Sequence, residues 1–186
     1  MKNDTIRENI LFGEEYDEER YNDVLKRTEL VTDLESIEKG DETIVGEKGI
    51  KLSGGQKQRI SIARCLYSDC SIYLFDDCLS ALDAYVGKNI FFNVIKELQD
   101  QGKTVVLVLN AIEYLKYCEK TIYIESGKTQ TLKDLNELKE INAEFFETIS
   151  HHEEKEDSAN EEKKEELDLD EVGNESLNKS VKTTKT

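Results

Sequence analysis

Apolar residues recur at three- and four-residue spacing in some stretches and run together in others, and this separates helices from strands. Ile60, Ala63 and Tyr67 share one helical face and Ile62 and Leu66 widen it, so a helix is expected after Ser53 as its N-cap. Residues 14–34 read as one helix, with Tyr21, Val24, Leu25 and Thr28 on a face that Leu30, Val31 and Leu34 continue. Ile90, Phe91, Val94, Ile95 and Leu98 form another stripe, which Gly102 terminates. Residues 134–149 are helical, with Leu135, Leu138, Ile141 and Phe145 in register. A short amphipathic helix is expected between Thr5 as cap and Gly13 as stop, and residues 38–51 read mostly as loop.

Residues 71–75 are continuously apolar, the pattern of a strand buried on both faces, and residues 104–109 repeat it. Strand, helix, strand in that order implies a right-handed parallel crossover. Residues 121–124 form a third strand, and Ser126-Gly127 turns it into residues 128–132 as a hairpin.

A chain of 186 residues suits one domain and a tail. Its formal net charge is −16. That balance argues against nucleic acid as a partner, because phosphate contacts need clustered Lys and Arg. From His151 onward there are twelve acidic against six basic residues, a net of −6, which leaves −10 on the first 150 residues. Few apolar residues follow Ser150, so residues 150–186 are expected to be a disordered acidic tail or linker. Cys65, Cys70, Cys78 and Cys118 form no C-x-x-C pair and sit in or beside apolar runs, as buried reduced thiols of the cytosol would. His151 and His152 have no Cys partner, which argues against a metal site there. No run approaches the roughly 18 apolar residues of a membrane span, and the residues after Met1 open no signal-peptide core.

Three stretches carry candidate chemistry. Ser53, Gly54 and Gly55 stand before a helix, where backbone N–H groups are unpaired, the helix end is partly positive and no Cβ blocks an approaching anion. Ser-Gly-Gly taken alone reads first as a turn that caps a helix, since such turns are common. Asp76-Asp77 ends a strand, the edge at which parallel α/β sheets collect ligands. Two adjacent carboxylates buried there would be costly without a divalent cation. Ser80 and Asp83 read as a helix N-cap box. The cluster Glu14, Glu15, Asp17, Glu18 and Glu19 reads as a solvated face at a helix start.

The longer string Leu52-Ser53-Gly54-Gly55-Gln56-Lys57-Gln58-Arg59-Ile60-Ser61-Ile62-Ala63-Arg64 resembles the signature motif of ATP-binding-cassette (ABC) ATPases. Asp76-Asp77, then Ser80-Ala81-Leu82-Asp83, then the strand at 104–109 follow in the family's order. The resemblance covers roughly residues 3 to 145 and is strongest to the first cassette of the multidrug-resistance-associated C subfamily. It implies an α/β fold: a partial P-loop NTPase (RecA-like) core with parallel strands plus the ABC helical subdomain. Residues 1–70 would be that subdomain with the signature, and 71–149 the C-terminal part of the ATPase core. Thr5 to Gly13 resembles the segment after the Q-loop, and Gly46-Glu47-Lys48-Gly49-Ile50 the approach to the signature.

The resemblance also assigns roles. Ser53, Gly54, Gly55 and Gln56 would bind the γ-phosphate of an ATP carried by a second cassette in a head-to-tail dimer. Ser80 and Asp83 would belong to the D-loop at that interface, where Cys78 replaces a usual Pro and leaves the loop less rigidly set. Asp76 matches the Walker B aspartate that holds Mg²⁺ through water. Asp77 stands where the family has a catalytic Glu, and Asn110 where it has a switch His. Asp77 is one methylene short, and a misplacement of about 1 Å can lose on the order of a hundredfold in rate. Asn110 can hydrogen-bond a phosphate but cannot titrate as His does.

A P-loop of the form G-x-x-x-x-G-K-[ST] is absent: Glu97 and Ile122 stand where Gly102-Lys103-Thr104 and Gly127-Lys128-Thr129 would need the first glycine. The isolated chain is therefore expected not to hydrolyse ATP. It is expected to act at the cytoplasmic face of a membrane, with a partner cassette and transmembrane domains. The alternatives are a non-catalytic interaction fragment or a truncated gene model. Without the P-loop strand, sheet edges are expected to lie unpaired, which leaves the isolated chain marginally stable.

Overall fold

The structure, a computed structural model, describes residues 1–46, 49–109, 112–134, 136–144 and 146–147. Expectations for Asn110, Leu135, Phe145, His151, His152 and the acidic tail lie outside these residues. Contacts divide the chain into two units, Met1–Ala111 and Ile112 onward.

In the first unit, helix α1 (Ile6–Leu11) starts where the Thr5 hydroxyl accepts the Glu8 N–H. It ends with Phe12 in the left-handed region, followed by Gly13. Asp17 caps α2 (Glu18–Arg27). The single helix expected over 14–34 is instead two. Glu29 turns left-handed at φ 56°, its N–H meets Lys26 O, and the Leu30 N–H reaches back to Leu25 O at 3.0 Å. These two bonds form a Schellman end, which usually needs Gly at the position Glu29 holds, so no residue there marks a stop. Helix α3 (Val31–Glu35) follows. Tyr21, Val24, Leu25, Thr28 and Leu30 are buried as expected, but Val31 is exposed and Leu34 only half-buried. The acidic residues from Glu14 to Glu19 are all exposed, as a solvated face should be.

Strand β1 (Asp4–Thr5) pairs antiparallel with β2 (Ile44–Val45), inside the stretch expected to be loop. Helix α4 (Gly54–Tyr67) buries Ile60, Ile62, Ala63, Leu66 and Tyr67, the whole anticipated face, and packs against α1 and α2. Arg64 on α4 donates to Asn9 O at 2.6 Å and to Asn9 Oδ1 at 3.1 Å, which ties α4 to α1.

Strand β3 (Ile72–Asp76) pairs in parallel with β4 (Thr104–Val108), from Ile72 opposite Thr104 to Asp76 opposite Val108. This parallel pair among helices agrees with a partial P-loop NTPase core. The pair is not buried on both faces. Tyr73 and Phe75 are buried, whereas Ile72, Leu74, Val106 and Val108 are 62%, 71%, 51% and 55% exposed. A continuous apolar run describes what each strand can tolerate, while burial depends on whether a second layer is present. The helical stripe between the strands is buried throughout, across α5 (Ala84–Ile90), a π-helical stretch (Phe91–Lys96) and α6 (Glu97–Asp100). Gly102, at φ 77°, closes α6 with another Schellman end: its N–H meets Gln99 O and the Lys103 N–H meets Leu98 O.

In the second unit, a 3₁₀ stretch (Ile112–Tyr117) precedes the hairpin of β5 (Thr121–Glu125) and β6 (Lys128–Leu132). Ser126 and Gly127 both have positive φ, as a two-residue type I′ turn demands. Helix α7 (Asn136–Ile141) sets Leu138 against Leu132, with Tyr123, Ile141 and Phe146 packed around them. Gly102 and Gly127 thus both serve as turns, as the failed P-loop spacing implied.

Candidate nucleotide site

The site is built from the start of α4. Ser53 has an extended backbone (φ −64°, ψ 164°), so its side chain lies over the first turn. Its hydroxyl accepts the Gln56 N–H at 3.1 Å, and the Gln56 side-chain carbonyl accepts the Ser53 N–H at 3.0 Å. This is a full capping box. The capping turn and the anion site weighed for Ser-Gly-Gly are therefore compatible: the cap uses one lone pair of Ser53 and leaves its proton to donate. No acidic residue lies in the first turn of α4.

The two glycines face different surroundings. A Cβ on Gly54 would meet nothing within 4 Å, so this backbone is open to a ligand. A Cβ on Gly55 would lie 3.2 Å from Ala81 O and 3.8 Å from Leu82 Cδ2. The opening of α4 therefore packs on the turn at 80–83, two segments the sequence could place only in order. In that turn the Ser80 hydroxyl donates to Asp77 O at 3.2 Å, and Asp83 caps α5 by accepting the Val86 N–H at 3.0 Å. Buried Cys78 and Leu79 anchor its beginning.

Asp76 and Asp77 do stand at the carboxyl end of β3, but not as a buried pair. Asp76 is exposed and Asp77 half-buried, so the open face of the pair removes the desolvation cost expected for them. Asp77 adopts φ 47°, a left-handed backbone that Asp tolerates better than most residues, and its N–H donates to Val108 O at 3.1 Å. Among the described residues no three His, Cys, Asp or Glu side chains converge on one point. Asp76 and Asp77 thus fit Mg²⁺ only as one or two carboxylates completed by waters and phosphate oxygens, the habit of that ion in phosphate sites.

One residue escaped the sequence reading. Asp33, on α3, accepts Gln56 Nε2 at 3.1 Å through Oδ1, while its Oδ2 takes Arg59 Nε at 3.1 Å and a second guanidinium nitrogen. The three-residue spacing of Gln56 and Arg59 placed them on one face of α4, but nothing pointed to Asp33, 23 residues earlier. The thiols also depart from expectation. All four are free, but only Cys78 is fully buried, and Cys70 is exposed beside Ser68. Burial pushes the Cys78 thiol up to about 12, and raises Cys65 and Cys118.

A family profile described as ABC transporter matches residues 1–80, which contain α4, its opening and Asp76-Asp77. The chain is 45% identical over 156 residues to "ABC transporter C family member 8" of Dictyostelium discoideum, spanning 82% of this chain and 10% of that one. It is 46% identical over 165 residues to "Multidrug resistance protein fer6" of Mycosarcoma maydis, 89% of this chain and 12% of that one. The chain belongs to the ABC transporter family. Similarity to "ATP-binding cassette sub-family C member 2" of Rattus norvegicus, 43% over 156 residues, adds a mammalian C-family relative, with 82% and 10% of the two chains covered. This ABC transporter chain spans about a tenth of the length of the curated relatives it matches. The family binds ATP with Mg²⁺. Among the described residues no helix is long and apolar enough to cross a membrane.

Proposed function

We propose that this chain supplies the signature half of a composite ATP site in a C-family ABC transporter, within the first cassette. The observation that carries this reading is the open backbone of Gly54 at a capped helix start, with Gly55 seated on Ala81. The exposed N-terminus of α4 offers N–H groups, and Ser53 its hydroxyl proton, to the γ-phosphate of an ATP whose other contacts come from a partner cassette. Ser80 and Asp83 belong to the turn that meets that partner. In the chain's own half of the second site, Asp76 would hold Mg²⁺ through water. Mg²⁺ there would neutralise phosphate charge, while Asp77 and Asn110 would orient water and phosphate. Asp77 replaces Glu and Asn110 replaces His, so turnover is slow at that site and the signature half serves the active one. Transmembrane domains would couple the cycle to export from the cytoplasmic face.

Ser53→Arg in the assembled transporter fills the γ-phosphate position with a bulky side chain. ATPase activity is expected to fall at least tenfold, and unchanged activity would remove this role. A non-catalytic docking fragment is the second reading, favoured by the exposed apolar face of Leu74, Val106 and Val108. Both readings expect the purified chain alone to leave ATP unhydrolysed. They part on the Ser53→Arg transporter, where a fragment that only docks predicts normal turnover.

A further inference from the structure

Gln56 sits inside the candidate half-site, yet both ends of its side-chain amide are already engaged. Its Oε1 accepts from Ser53 N and its Nε2 donates to Asp33 Oδ1. The carboxylate settles which way the amide points, because a flipped amide would set its carbonyl against Asp33 and its NH₂ against the Ser53 N–H. The other carboxylate oxygen is held by Arg59, and the side chains of Asp33 and Arg59 are only 19% and 12% exposed. Asp33 thus fixes Gln56, Gln56 fixes the Ser53 backbone, and the cap leaves the Ser53 hydroxyl free to donate. Asp33 rides on α3, a helix separated from α2 by the left-handed turn at Glu29, so a second element steers the start of α4.

We propose that Asp33 is a positioning residue for the Ser53–Gly54 phosphate half-site, acting through the Gln56 amide; this rests on the function proposed above. It makes no contact with nucleotide. Its loss frees Gln56 and lets Ser53 leave the capped geometry, which weakens the hold on the γ-phosphate.

The test is steady-state ATP hydrolysis by the assembled transporter carrying Asp33→Ala, Gln56→Ala, both together, or Ser53→Arg. Each alanine variant is expected to raise KM for ATP about tenfold with kcat within about threefold, and the double variant to do no more than either single. The rise in KM at nearly constant kcat is the readout a merely structural role would not give, and the non-additivity shows that the two side chains act through one bond. A KM for Asp33→Ala within about twofold of the parent, or losses that multiply toward about a hundredfold in the double variant, would overturn the proposal. Ser53→Arg separates the two levels. If it leaves activity intact, the half-site reading itself fails; if it abolishes activity while Asp33→Ala changes nothing, only the positioning role fails. Should Asp33→Ala fail to assemble, Asp33→Asn keeps the shape and one acceptor for Gln56. It is expected to raise KM about threefold, and no rise would count against the proposal.

Discussion

Adjacent glycines at the start of α4 predict opposite responses to one added methyl group. Gly54→Ala introduces a Cβ into open space, and alanine in a helix is favoured over glycine by roughly 0.5–1 kcal/mol. Gly54→Ala should therefore be neutral or stabilising. Gly55→Ala earns the same helical gain but sets its Cβ 3.2 Å from Ala81 O, a backbone atom that can give way only if the turn at 80–83 moves by a few tenths of an ångström. Overpacking of this kind costs about 1 kcal/mol or slightly more, so Gly55→Ala should be less stable than Gly54→Ala by about that amount. For a chain of this size the gap corresponds to roughly 2–4 °C in Tm. The assay is thermal or urea unfolding followed by far-ultraviolet circular dichroism, with both variants measured side by side. Equal stabilities, or Gly54→Ala as the weaker of the two, would refute the packing of α4 on that turn. Function should rank them differently, because a methyl group on Gly54 stands where phosphate must approach. ATP-dependent association with a partner cassette should then be lost in Gly54→Ala despite its intact fold.

Arg64→Ala should destabilise the first unit by about 1–3 kcal/mol, because it strands the main-chain oxygen of fully buried Asn9 and leaves Asn9 Oδ1 with the Lys2 N–H alone; a urea midpoint equal to the parent's would contradict that bond pair. The folded Cys78 thiol sits at about 12 against an ordinary 9.0, so the unfolded chain ionises first. Stability that is complete below about pH 9 is then lost as pH rises toward 12, on the order of 1 kcal/mol per pH unit, and the buried Tyr21 and Tyr73 phenols, also raised, act in the same direction. Cys78→Ala should flatten that fall, and urea midpoints that hold steady from about pH 8.5 to about 10.5 in the parent would refute it. Leu74→Lys should reduce concentration-dependent light scattering without lowering Tm, because it replaces a 71% exposed side chain on the open sheet face; a lower Tm would mean that this face is covered in solution.

What could be read in advance was local. The buried face of α4, the stripe from Ile90 to Leu98, the hairpin turn at Ser126-Gly127 and the cap at Ser53 all follow from spacings of a few residues and from turn chemistry that short segments carry themselves. The signature-like string and the acidic strand end were legible for the same reason. The split between α2 and α3 was not, because Glu29 adopts a backbone that glycine usually announces. Nor were the exposure of Asp76 and the contact of Gly55 with Ala81. Sequence alone determined where most helices and strands lie and which faces are apolar, since propensity, caps and periodicity act over one or two turns. Only the tertiary structure decided which apolar faces are covered, and that Asp33 meets Gln56 and Arg59, because desolvation and side-chain hydrogen bonds depend on chain segments brought together from far apart.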